Sequence, residues 1–198
     1  KVHHILDKLH SEPGKKLLDI GSGWGTLIIT AAQEYGLETY GVTLSEEQYA
    51  FTNQRIQELG LQDKVHVMLR DYRDVDMTFD YITWVGMFEH VGKENLGEYF
   101  KDVANYLVPN GRALIHGITG QHYGAGVDPF IQKYIFPGGY IPNIAENVTH
   151  IMEAGMQLDD IEPLRRHYQK TLETWTENYH AVYDKTVAER GEAFARAW

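Results

Sequence analysis

Apolar positions along this chain alternate between two periods, and the switches between them divide it into units. Residues 16–20 read Lys-Leu-Leu-Asp-Ile, a short apolar run; glycines at 21, 23 and 25 follow, and residues 26–35 then keep helical spacing. The pattern predicts a strand, a glycine turn and a helix. A second unit has strand character over 38–43, Ser45 as a helix N-cap with Gln48 three residues on, and a helix over 46–60. Further strands are predicted at 65–69, 81–85 and 113–117, with a helix at 93–107 that Pro109-Asn110-Gly111 ends. Strands alternating with helices imply a parallel sheet covered on both faces.

Residues 119–142 break this rhythm, being rich in glycine and aromatics with Pro129, Pro137 and Pro142 interrupting any period, and read as a functional loop region. Beyond it the spacing predicts a helix at 145–154 and a strand at 156–161. Tyr168, Leu172, Trp175, Tyr179 and Val182 then fall on one face of a long helix, a stripe that reads mostly as core.

Composition narrows the classes. A chain of 198 residues suits one domain, and 43% hydrophobic content with charges spread along it is that of a globular protein. With 18 basic against 28 acidic residues the net charge is -10, which argues against a nucleic-acid partner and opposes simple adsorption to anionic lipid. There is no cysteine, so disulfides, thiolate nucleophiles and zinc–thiolate sites are excluded. No apolar run approaches the roughly 18–20 residues of a membrane span, and the start has no signal-peptide centre, so a cytoplasmic location is expected. The chain opens on Lys1 within a helical stretch and is expected to be a piece of a longer protein.

The glycine turn after Asp19 is where a nucleotide-like ligand is expected, since glycine lets backbone approach a ligand and the next helix offers free N–H groups. A dinucleotide site wants G-x-G-x-x-G and an acidic residue about 20 positions later; here the run is G-x-G-x-G, and that place holds Thr43, Leu44 and Ser45. Glu89 and His90 directly follow an apolar strand, at the edge where open α/β sheets bind ligands. Neither H-E-x-x-H nor a compact third ligand accompanies them, which argues against a metal. His116 ends the next strand; such a histidine is as often a satisfied polar group as a functional one. Tyr134, Phe136 and Tyr140 are available either for packing or for cation–π contact.

Asp-Ile-Gly-Ser-Gly-Trp-Gly at 19–25 resembles the first motif of class I S-adenosylmethionine-dependent methyltransferases. Four further runs resemble the cyclopropane fatty acid and mycolic acid cyclopropane synthases: Gly-Val-Thr-Leu-Ser-Glu-Glu-Gln at 41–48, Arg-Asp-Tyr-Arg-Asp at 70–74, Val-Gly-Met-Phe-Glu-His-Val-Gly at 85–92, and Val-Asp-Pro-Phe-Ile-Gln-Lys-Tyr-Ile-Phe-Pro-Gly-Gly at 127–139. The last two are the specific ones. The resemblance implies a Rossmann-like, mostly parallel sheet with helices on both faces and without the class's final strand. It implies S-adenosylmethionine as cofactor, with Gly21, Gly23 and Gly25 at its methionine end and Asp19 bracing the turn. Thr43, Leu44 and Gln48 would hold ribose and adenosine, with Tyr72 and Arg73 flanking the adenine and His90 on the cofactor side. Glu89, His116, the Ile118 N–H and the Tyr168 hydroxyl would cage a bicarbonate ion.

The activity so implied is methylene transfer to the cis double bond of unsaturated phospholipid acyl chains, with peripheral membrane contact and a homodimer allowed. Rivals are a methyl-branching fatty acid enzyme, an amine N-methyltransferase, and a cofactor-binding fragment without turnover. Full-length synthases carry a preceding segment with a Ser-Cys-x-Tyr-type motif, and this chain is expected to be truncated before and after the shared core.

Overall fold

The computed structural model describes residues 1–122, 127–135 and 137–198. The chain divides into two compact units, residues 1–158 and 159–198. The first runs α1 (Val2–Lys8), β1 (Lys16–Ile20), α2 (Thr26–Tyr35), β2 (Glu38–Thr43), α3 (Glu46–Glu58), β3 (Val65–Leu69), β4 (Phe79–Val85), α4 (Leu96–Tyr106), β5 (Leu107–His116), α5 (Pro129–Tyr134) and α6 (Ile144–Glu153). Its strands form one parallel sheet in the order β3-β2-β1-β4-β5.

β1 suits the centre because both of its faces are apolar. Strand alternation turns Leu18 and Ile20 toward Tyr99, Phe100 and Val103 of α4, while Leu17 packs with Ile5 and Leu6 of α1 and Leu27 and Ala31 of α2. α2 and α3 meet β3 through Ile28, Ile56 and Val65. Each fully buried aliphatic side chain contributes roughly 1.5–3 kcal/mol relative to exposure. After β3 the chain returns across the sheet to pair β4 with β1, so strand order reverses between β1 and β2 on one side and β4 on the other. Such a reversal opens a crevice at the carboxyl ends of the strands.

Three boundaries differ from the sequence-based expectation. The helix ends at Tyr106, yet Pro109-Asn110-Gly111 lies inside β5 rather than before it. The ladder slips there: Phe79 pairs with Leu107 while Tyr81 pairs with Arg112. Asn110 has φ 66°, and a Cβ on Gly111 would meet the Val108 and Asp80 carbonyl oxygens at 2.9 and 3.0 Å, so the turn residues form a bulge. The proline-rich region contains α5, begun by Asp128, whose side chain accepts from the Phe130 N–H at 2.8 Å. Residues 156–161 are not a strand. Gly155 at φ 78° ends α6, the Met156 N–H returns to the Ile151 carbonyl at 3.1 Å, and among the described residues no neighbour takes up a ladder with this stretch.

The second unit is α7 (Arg165–Arg190), a turn at Gly191 with φ 84°, and α8 (Glu192–Ala197). The Tyr179 hydroxyl donates to the Ala195 carbonyl at 2.9 Å and ties the two helices. The stripe expected to be core is half exposed at Tyr168, Leu172, Trp175 and Val182. Among the described residues no helix is long and apolar enough to cross a membrane.

Candidate functional site

The glycine turn leaves β1 with three left-handed residues, Gly21, Gly23 and Gly25, at φ 76°, 55° and 77°. The Gly21 and Ser22 N–H groups both donate to the Val42 carbonyl at 3.0 Å, folding the turn back over β2. A Cβ at Gly21 would collide with the Met87 side chain and one at Gly25 with Thr52, whereas one at Gly23 would meet nothing within 4 Å. The turn is therefore packed from behind and open at its tip, and no side chain caps α2, which follows it. Trp24 stands beside the opening, half exposed and edge-on to Phe51 at 5.3 Å.

Asp19 sits beneath the turn, buried, with its Oδ1 accepting from the Thr83 hydroxyl at 2.7 Å. Burial pushes its carboxyl up to about 7, against the opposing pull of that hydrogen bond. Thr83 was not singled out by the sequence reading, although it carried a signal: a polar residue inside an apolar run, in register with Asp19 on the neighbouring strand.

At the end of β2, the Thr43 hydroxyl donates to Gln48 Oε1 at 2.8 Å and accepts from the Ser45 N–H at 3.2 Å. Ser45 caps α3 by accepting from the Gln48 N–H at 3.2 Å; the Gln48 side chain turns to Thr43 and leaves only half of a capping box. Leu44 between them is 70% exposed, an apolar side chain held over the edge. After β3, Tyr72 and Arg73 lie on a single 3₁₀ turn, Tyr72–Asp74. The Arg73 guanidinium is already engaged, donating to both Asp71 carboxylate oxygens at 2.9 and 2.7 Å. Tyr72, Trp84, Met87, His90, Glu98 and Asp102 line a cavity of about 210 Å³. The buried Trp84 Nε1 has no partner among the described residues.

The second cluster gathers at the ends of β4 and β5. Glu89 is 3% exposed, its Oε1 accepting from the Ile118 N–H at 2.7 Å. Where the resemblance implies an ion between these two groups, this structure closes them directly on each other, as expected of a buried carboxylate beside a free donor. Glu89 Oε2 and His116 Nδ1 are buried with no hydrogen-bond partner among the described residues. Burial, then the charge of Lys1, lowers the His116 pKa further than the Glu89 charge raises it, which favours a neutral ring. One orphaned acceptor and one orphaned ring nitrogen suit a small group that both donates and accepts, as bicarbonate does. Among the described residues no group of side chains could hold a metal ion.

Tyr168 belongs to the second unit, on α7, 47% exposed and edge-on to Trp175 at 6.1 Å. Of the aromatic residues in the proline-rich region, Tyr134 is exposed with Lys133 Nζ 4.9 Å over its ring, and the Tyr140 hydroxyl donates to Glu146. Phe136 lies outside the described residues.

A family model described as mycolic acid cyclopropane synthetase matches residues 1–198. A probable fatty acid methyltransferase of Pseudomonas putida is 41% identical over 205 residues, taking in 100% of this chain and 52% of that protein. The cyclopropane-fatty-acyl-phospholipid synthase of Escherichia coli (strain K12) is 37% identical over 196 residues, 99% of this chain and 50% of its own. The solved structure of mycolic acid cyclopropane synthase CmaA1 complexed with SAH and CTAB matches with a TM-score of 0.88 and 29% identity, covering 99% of this chain and 73% of that one. The chain spans about half the length of the curated relatives it matches.

Proposed function

This chain belongs to the mycolic acid cyclopropane synthetase family and has the class I methyltransferase fold, and on that premise we propose that it transfers a methylene unit from S-adenosylmethionine to the cis double bond of a phospholipid acyl chain. The reading is carried by one juxtaposition: an open glycine cradle and a buried, half-satisfied Glu89 at the same end of one sheet. When bound, S-adenosylmethionine supplies an electrophilic methyl group on a sulfonium. Gly21, Gly23 and Gly25 would receive its methionine end, with Asp19 bracing the turn, Thr43, Leu44 and Gln48 would hold ribose and adenosine, and Tyr72, Arg73 and His90 would bound the adenine side.

An alkene has no acidic proton, so no base is needed before transfer. The alkene π pair would bond to the methyl carbon as its carbon–sulfur bond breaks, the electron pair staying on sulfur and the thioether departing, which leaves positive charge on the other alkene carbon; loss of a proton from that methyl then lets its C–H electron pair close the ring. The residues therefore favour a cation first and a departing proton second. Glu89 supplies negative charge, and a neutral His116 adds no repulsion. Bicarbonate fits the two orphaned groups: Glu89 Oε2 would accept from its O–H, and His116 would donate to one of its oxygens. When bound it supplies the base for that proton. Ile118 contributes by fixing the Glu89 carboxylate. The whole chain would serve one catalytic domain at the inner face of the membrane, reaching its substrate by peripheral contact.

The test is incubation with cis-unsaturated phospholipid and cofactor labelled in the methyl group, followed by analysis of acyl chains, headgroups and products. Label in a cyclopropane ring, lost when bicarbonate is removed, is the expected outcome. A second reading is favoured by the Pseudomonas putida relative, named as a fatty acid methyltransferase; it is upheld instead if the label appears as a methyl branch. Label on a headgroup amine, or cofactor binding without turnover, overturns both.

A further inference from the structure

Glu89 and Ile118 meet from two different loops, and what holds those loops together lies on a third. The Tyr140 N–H donates to the Glu89 carbonyl at 3.0 Å. Two residues on, the Pro142 carbonyl accepts from the Gly120 N–H at 2.8 Å, and Gly120 and Asn143 form an isolated parallel bridge. Residues 140–143 thus touch both the turn bearing Glu89 and the backbone just beyond Ile118. This short segment is itself tied to the first turn of α6. The Tyr140 hydroxyl donates to both Glu146 carboxylate oxygens at 2.9 and 2.8 Å, and Glu146 Oε2 also accepts from the Asn143 N–H at 2.8 Å. Asn143 returns the contact by accepting from the Ala145 N–H at 2.8 Å, which completes a capping box.

We propose that Tyr140 and Glu146 form a latch that positions the Glu89 carboxylate against the Ile118 amide. The two side chains bond to each other and to the Asn143 N–H, and they act through the backbone they hold, as positioning residues. Glu146 is suited to the task because it stays ionised. The Asn143 N–H, then the Tyr140 hydroxyl, Lys93 and His150, hold its carboxyl below the usual range and outweigh its modest burial. Lys93 Nζ also lies 5.8 Å over the Tyr140 ring. α6 is in turn seated on α4, where His150 stacks on Phe100 at 6.3 Å. The anchor is therefore a packed helix, while the two loops it joins leave the ends of different strands.

The latch rests on the proposed reaction only for its kinetic consequence, so the experiment reads position and turnover separately. Amide hydrogen exchange is measured at Ile118 and, as a control for overall stability, at Leu18 in the central strand, in the intact protein and in Tyr140→Phe, Glu146→Ala and Glu146→Gln. The expected result is about tenfold faster exchange at Ile118 in Tyr140→Phe and Glu146→Ala with Leu18 unchanged. Glu146→Gln, which keeps an acceptor, restores most of the protection. In the lipid assay the first two variants lose about tenfold in kcat with KM for the methyl donor within about twofold, as loss of orientation requires. Combining Tyr140→Phe with Glu146→Ala adds nothing to Glu146→Ala alone. Exchange at Ile118 within about twofold of the parent in both variants, or equal acceleration at Leu18 and Ile118, overturns the latch. Absence of turnover in the parent protein overturns the proposed reaction instead and leaves the exchange comparison to decide the latch.

Discussion

The glycine turn and the Glu89 pocket share one sheet edge but are built by opposite means. The turn is a backbone device: its shape is set by three left-handed glycines within five residues, and neighbouring side chains, Met87 and Thr52, fill the space where Cβ atoms are absent. The pocket is a side-chain device, made where a carboxylate from one loop meets an amide 29 positions away and where an imidazole at a strand end is left without a partner among the described residues. The first should fail by losing its fold when altered. The second should fail by losing chemistry while the fold survives.

The sharpest way to break this contrast is Glu89→Gln. The amide oxygen still accepts from the Ile118 N–H, so the thermal midpoint should stay close to that of the parent. Turnover should fall by about 10³-fold, the scale of losing a charge aimed at a developing cation in a dry site. A variant that unfolds, or one that retains full activity, would show that the carboxylate is structural.

Next in size is Gly25→Val. A side chain there meets Thr52 and forces a β-branched residue to φ 77°. Left-handed strain and overpacking together should cost about 3 kcal/mol, read from urea unfolding. Gly23→Val, which meets no neighbouring atom, should cost less stability but weaken S-adenosylmethionine binding by calorimetry. Equal costs at the two glycines would mean that packing behind the turn is unimportant.

The smallest effect concerns Asp19. Its folded carboxyl is raised from 3.8 to about 7, so between those values the folded state binds a proton that the unfolded state has released. Stability should therefore fall as pH rises through this window, by about 2 kcal/mol between pH 5 and pH 7. Asp19→Asn should flatten that slope, measured by denaturant unfolding at several pH values. A parent protein whose stability rises with pH over the same range would contradict the burial argument.

The same contrast explains what the sequence made legible. The first two strand–helix units were readable because each boundary is fixed by residues a few positions away: Ser45 caps α3 itself, and the glycines bend the chain where they stand. Glu89 and His116 were readable as polar residues at the ends of apolar runs. The direct closure of Ile118 on Glu89 was not, because a contact between two loops depends on where both strands end and on nothing within either motif. Pro109-Asn110-Gly111 misled for a related reason. Its turn chemistry is real, but pairing of Leu107 with Phe79 and of Arg112 with Tyr81 on the neighbouring strand decides that the turn becomes a bulge in the ladder. Residues 156–161 carry apolar Met156, Leu158 and Ile161 in a short run and are not a strand, since such a run is a property of the segment and pairing a property of its neighbours.

The pairing of β4 with β1 sets an order of assembly. β1, β2 and β3 pair with sequence neighbours, so the residues at their ends can gather early and locally. Asp19 and Thr83, by contrast, are 64 positions apart, and their hydrogen bond forms only when the chain has come back across two strands. Closing a loop of that length carries an entropic cost that grows with its logarithm, and it must be met before the contact returns anything. The floor beneath the glycine turn is therefore expected to be laid late in folding, and a chain in which β4 has not yet returned would hold the turn's sequence without its support.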